Sequence, residues 1–187
     1  EGNLKSANAI AFGGIPTIGL GDSGKWYAEF LATSTGTDRC VGLQSNLTIA
    51  FGNYNPGRYA GSYSYDDDGQ KYESNSGSSY GATYTTGDII GVAADLTNNK
   101  LYFSKNGTWQ DSGVPTSGAT GTGAISISST PADGYFFGVG DRTNNATWYA
   151  NFGSDSSFAG EKTAQGNQDD NEVGDFAYDV PAGYLAL

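Results

Sequence analysis

The pattern of apolar and polar positions is clearest between Gly87 and Trp109, where the chain reads GDIIGVAADLTNNKLYFSKNGTW. Ile89 to Leu96 is an apolar run of strand length, as expected of a strand covered on both faces. Thr97-Asn98-Asn99 follows as turn chemistry, because Asn tolerates left-handed backbone angles and bonds its own backbone. Lys100 to Lys105 then alternates, with Leu101 and Phe103 on one face, and Asn106-Gly107 turns the chain again. The spacing predicts an antiparallel hairpin whose first strand is central and buried. Arg39 to Leu43 also reads as a strand, and Ala124 to Ser128 as a shorter one with Ile125 and Ile127 on one face. Gly, Asn and Asp punctuate these segments, and no window holds a convincing apolar period of 3.6 residues. The pattern predicts an all-β chain: two antiparallel sheets packed as a β-sandwich, with little helix.

The order glycine-aspartate, apolar strand, aspartate turn, Leu101-Tyr102-Phe103-Ser104-Lys105-Asn106-Gly107, Trp109 resembles the core of the SPRY domain. Gly24-Lys25-Trp26-Tyr27-Ala28-Glu29-Phe30 looks like that family's first core strand, and Tyr135 to Gly140 like its penultimate one. Ala146 to Gly153, followed by Phe158, resembles the closing strand, and Phe176 to Leu187 resembles the tail of ryanodine-receptor-type and phage-encoded versions. The resemblance runs from residue 24 to 187; residues 1–23 and 116–134 have no counterpart in it. It implies a concanavalin-like sandwich that binds other molecules and does not catalyse, with loops at one end forming a shallow groove for a protein or peptide. The tail implies a phage virion or tail protein, hence a virion or extracellular setting. Residues 1–23 are expected to add an edge strand and a connector, and residues 24–187 to form the sandwich domain.

A chain of 187 residues is long enough for one domain with a full core. Its net charge of −11 comes from 20 acidic against 9 scattered basic residues, so no basic footprint for nucleic acid exists. Nothing approaches the roughly 18 consecutive apolar residues that span a membrane, and no signal-peptide pattern is present. The chain contains no Met and starts at Glu1, as expected of a fragment of a larger parent protein with neighbouring domains, or of a processed product. Residues 116–124 are almost all Ser, Gly, Ala and Thr and read as a flexible loop, and the acidic stretch 161–175 as a solvated one.

The absence of His removes Ser-His-Asp triads, His-ligated metals and the commonest general base. A glycosidase needs two carboxylates about 5 to 9.5 Å apart. No expected strand offers them, and Glu29 stands alone as a residue bonding a neighbouring strand or loop. Asp66-Asp67-Asp68-Gly69 fails the EF-hand pattern, because position 12 counted from Asp66 is Gly77 and not Glu. It reads as a hairpin tip with acidic residues facing water. No enzyme activity, cofactor or metal is expected. Cys40 is the only cysteine, a buried structural thiol. Asp95-Leu96-Thr97-Asn98-Asn99 and Asp141-Arg142-Thr143-Asn144-Asn145 read as shared turn chemistry.

Seven of the 13 tyrosines fall between Tyr54 and Tyr84, interleaved with Gly, Ser, Asn and Asp. That is the composition of binding loops; it also suits sugar recognition, while the strand spacing of Tyr59, Tyr63 and Tyr65 suits sheet packing. Ligand contact is expected at one end of the sandwich, from Asn53, Tyr54, Arg58 and Tyr59 around Pro56-Gly57, and from Tyr65, Asp66, Asp68 and Tyr72. Arg142 is a further candidate. The expected ligand is a protein or peptide. A carbohydrate-binding module and a structural or oligomerisation domain without ligand are the alternatives.

Overall fold

The computed structural model describes residues 4–7, 19–34, 38–45, 55–141 and 146–187. Strands β1 (Leu4–Ala7), β12 (Thr147–Asn151), β2 (Lys25–Ala32), β7 (Ile89–Asp95), β8 (Lys100–Lys105) and β10 (Ile125–Ser126) lie side by side in that order, and β9 (Thr108–Trp109) pairs with β8. The second sheet runs β11 (Phe136–Asp141), β3 (Arg39–Gln44), β4 (Tyr63–Asp66), β5 (Gln70–Glu73), β6 (Ser76–Ser79). Every strand pairing is antiparallel. The two sheets pack as a sandwich.

The side-chain period of two explains the layers. In β2, Ala28, Phe30 and Ala32 point into the sandwich with Ile90, Val92 and Ala94 of β7, Leu101 and Phe103 of β8, and Trp148 of β12. Val41, Leu43, Tyr63, Tyr65, Phe137 and Val139 meet them from the other sheet. The alternate residues of the larger sheet, Tyr27, Ala93 and Tyr102, are buried on its outer face under Phe176 and Tyr184. The C-terminal segment thus covers that face, and this is why β7 is apolar at consecutive positions and fully buried. Ile89–Asp95 pairs with Lys100–Lys105 through Val92 opposite Phe103, the hairpin that the sequence pattern predicts.

Glu29 fastens the covering segment. It is buried, and its carboxylate accepts the N–H groups of Ala177 at 2.8 Å and Tyr178 at 2.9 Å, and the Tyr27 hydroxyl at 3.1 Å. Burial outweighs these donors and pushes its pKa up to about 7. Asp169 works from the segment's own side, accepting from Val173, Gly174 and Ala186 N–H groups. Residues 161–175 are therefore only partly the solvated loop the sequence suggests. Residues 116–124 also differ from expectation. Pro115–Thr120 forms 3-10 turns, tied down by the Tyr184 hydroxyl on the Pro115 carbonyl at 3.1 Å. Val114 N–H donates to the Thr122 carbonyl across this piece. A Gly/Ser/Thr composition signals backbone freedom, and here these contacts remove it.

Candidate functional site

Arg39 opens β3 and is buried among loop ends. Its Nε donates to Asp67 at 3.2 Å and its Nη1 to the Ser34 carbonyl at 2.8 Å and, more weakly, to Thr86 Oγ1 at 3.4 Å. Its own carbonyl accepts the Tyr84 hydroxyl at 2.9 Å. One guanidinium thus joins the segments after β2, after β4 and before β7 at a single end of the sandwich. Asp141 ends β11 opposite Arg39, and Ala146 N–H returns to the Asp141 carboxylate. Asp141 and Ala146 therefore lie at this same end. Asp95 plays a matching part in the β7–β8 hairpin, where its carboxylate accepts Asn98 N–H at 2.9 Å. In both places the aspartate accepts a backbone N–H a few residues further on.

Carboxylates dominate this end. Asp38 and Asp68 are exposed and Asp67 is half-buried. Burial raises the Asp67 carboxyl against the pull of Arg39. Burial acts the same way on Asp88, but Thr85 N–H, Asn106 and Lys105 overcome it and hold that carboxyl below the usual range. Among the described residues no group of acidic or sulfur side chains is arranged to hold a metal ion.

Residues 55–60 lie across the outer face of the smaller sheet. Asn55 covers Gly140 of β11, and Gly57, at φ 79°, presses on β5 so closely that a Cβ would stand 2.8 Å from Tyr72 Cβ. Only glycine fits that position. Arg58 then stacks 3.5 Å above the centre of the Tyr72 ring and pairs with Asp66. Ser64 donates to the other Asp66 oxygen at 2.6 Å. Burial outweighs the guanidinium, and the Asp66 carboxyl is pushed up to about 7. Arg58 Nε and Nη1 are buried without a partner among the described residues.

The structure brings Arg58, Asp66 and Tyr72 together, but as a staple holding residues 55–60 on the sheet. Asp66 does not face water: only 2 % of it is exposed, because it sits on the outer face of β4 beneath Arg58. Tyr65 is fully buried on the inner face, its hydroxyl on the Ala82 carbonyl. A ring with no exposed surface cannot touch a partner, so Tyr65 and Asp66 leave the contact set. Asp68 remains exposed and closes the β4–β5 turn by accepting Gln70 N–H at 3.0 Å. Tyr59 and Tyr72 are half-buried. Asn53, Tyr54 and Arg142 lie outside the described residues. Of the tyrosine cluster, Tyr63, Tyr65, Tyr80 and Tyr84 are core residues. Their hydroxyls bond backbone or side-chain groups within the protein. Arg39 is the organiser of this end that composition overlooks; an arginine leading the apolar run Cys40 to Leu43 is its one sequence signal.

The family model for the SPRY domain matches residues 25–130. The dual specificity protein kinase splA of Dictyostelium discoideum is 35 % identical over 88 residues, which is 45 % of this chain and 3 % of that protein. Ran-binding protein 9 is 38 % identical over 86 residues in both zebrafish (Danio rerio) and human, again 45 % of this chain and 14 % and 12 % of those proteins. The chain thus spans a small fraction of the length of these relatives. Among solved structures, a human SPRY domain superposes with a TM-score of 0.58 at 20 % identity, covering 80 % of this chain and 91 % of that one. The SPRY domain of human HERC1 gives 0.58 at 18 % identity, covering 79 % and 85 %. These two likenesses concern the fold.

Proposed function

Because this chain belongs to the SPRY domain family, we propose that it is a non-catalytic recognition module that binds a protein or peptide partner at the loop end organised by Arg39. The observation that carries this reading is the arginine itself. A buried guanidinium tying three connecting segments together makes a rigid rim, and a rigid rim lowers the entropy cost of binding. The proposed contact set is Asn53, Tyr54, Tyr59, Asp68 and Arg142, with Arg58 and Tyr72 as the support beneath. Ran-binding protein 9 is named for what it binds, and the match takes in only 12 % of the human protein. What we carry over is the class of ligand, a protein, and not Ran.

Four of the seven clustered tyrosines are buried in the core, so the tyrosine count by itself lends a carbohydrate-binding reading little support. The relatives named above are proteins of Dictyostelium, zebrafish and human, so our reading rests on the module and not on a virion setting. Selection of a displayed peptide library against the pure protein tests it. Selected peptides should bind saturably. Tyr54→Ala and Arg142→Ala should each weaken them by about 1 to 3 kcal/mol without moving the melting temperature. Arg58→Ala should lower the melting temperature as well, because it leaves Asp66 buried without its cation. Selected peptides that bind the Tyr54→Ala, Arg142→Ala double variant as well as wild type would place the site elsewhere.

A further inference from the structure

The free edge of the smaller sheet is a second surface, distinct from the loop end. β6 is its edge strand, and Ser76-Gly77-Ser78-Ser79 is exposed along its whole length. Edge strands are usually blunted by charge, proline or a bulge; β6 carries none of these. The hairpin geometry says which backbone groups are free. Ser74 and Asn75 have φ of 49° and 65° and form a two-residue turn closed by Glu73 opposite Ser76. In such a hairpin the closing pair exchanges both hydrogen bonds, and bonded pairs then alternate. Tyr80 N–H donating to the Gly69 carbonyl at 3.0 Å keeps that phase. Gly77 and Ser79 therefore turn their N–H and C=O groups away from β5, towards the open edge.

The edge is held rigid from the outer face. The Tyr72 ring covers Gly77, its Cε1 2.6 Å from where a Cβ would stand, and Arg58 stacks on the ring. On the inner side a groove of about 550 Å³ opens between the β5–β6 hairpin and β10, lined by Lys71, Glu73, Ser76, Ser78, Ile125 and Ser126. Lys71 and Glu73 face it, because their partners across the sheet, Tyr65 and Tyr63, face the interior. Neither has an ion-pair partner among the described residues. Only the short side chains of Ser78 and Ser76 stand between them and the edge.

We propose that β6 accepts an extended segment of a partner protein as an added, antiparallel strand, with an acidic residue facing Lys71 and a basic residue two positions later facing Glu73. The added strand would lie about 10 Å from β5, two strand spacings, a gap that a lysine and a carboxylate side chain bridge over a serine. Main-chain bonds to Gly77 and Ser79 supply the pairing, and the two charges set direction and register. The order acidic-x-basic follows from the antiparallel course, since the position opposite Ser78 comes before the one opposite Ser76. A second copy of this chain fits less well. Its charges stand on its own β5, so three strand spacings, about 14 Å, would separate Lys71 from the charged side chains of the other copy.

Fluorescence anisotropy with the labelled peptide TVEVKVT and its charge-reversed form TVKVEVT tests the assignment. TVEVKVT should bind wild type more tightly, by on the order of tenfold for two cross-strand charge pairs. Ser79→Pro, which removes an outward N–H and no ladder bond, should abolish binding of either peptide. The double variant Lys71→Glu, Glu73→Lys should prefer TVKVEVT, and it decides the matter should Ser79→Pro fail to fold. No binding at millimolar peptide, equal binding of the two peptides, or an unchanged preference in the double variant overturns the proposal. A dimer seen by sedimentation and dissolved by Ser79→Pro would give the edge to a second copy and overturn it equally.

Discussion

Arg39 has been taken almost wholly out of water, and its partners define what its loss would do. Arg39→Ala removes the cation from Asp67 and the donor from the Ser34 carbonyl. Breaking a buried pair by deleting one member costs about 3 to 5 kcal/mol, a large share of the roughly 5 to 15 that hold a domain together. Chemical denaturation should show a loss of that order, and a loss under about 1 kcal/mol would mean that Arg39 is an ornament of the rim. Glu29 and Asp66 make a prediction of a different sign. Burial raises both pKa values to about 7, above their unfolded values. The folded state therefore binds more protons than the unfolded state between the two values. Their contribution to stability is fully present below the unfolded pKa and is lost as pH rises through about 7. The melting temperature should fall between pH 5.5 and pH 8, and Glu29→Gln should flatten that slope. A melting temperature that rises over this interval would contradict the assignment.

Among the strands, β7 is the keystone, since it lies between β2 and β8 and is buried on both faces. Val92 sits opposite Ala28 on one side and Phe103 on the other. Val92→Asp places an unpaired charge there, at a cost of several kcal/mol, and should abolish folding; a soluble, cooperatively melting variant would show that the strand is not central. The hairpin is legible in the sequence because its signal is local: a run of apolar residues, an Asn-rich turn and an alternating strand. The face-covering role of residues 153–187 is not, because it depends on Glu29 meeting Ala177 and Tyr178 across 148 and 149 positions of sequence. Tyr63 and Tyr65 show the middle case. Their alternation with Ser64 and Asp66 states that they share a face, but the strand alone does not say which face is inward.

At the scale of the molecule, two sheets and a covering segment leave function to one rim and one edge. The candidate site is legible only in part. Arg58, Asp66 and Tyr72 do meet, yet Arg58 reaches Asp66 only because residues 55–60 fold back across the outer face of the smaller sheet. No local pattern around Pro56-Gly57 encodes that return, so an aromatic and a guanidinium in a glycine-rich stretch read as a binding loop when they form a staple. The rim rests on Arg39, and its claim is the one to test. The most direct measurement is an amide chemical-shift map of the labelled protein titrated with the tightest peptide selected from the library. The account predicts saturable shifts at Asp38, Asp68 and residues 53–59 and 141–146, with the outer face around Tyr27 and Phe176 unmoved. Shifts confined to that C-terminal face, or no saturable shift at the rim, would contradict it.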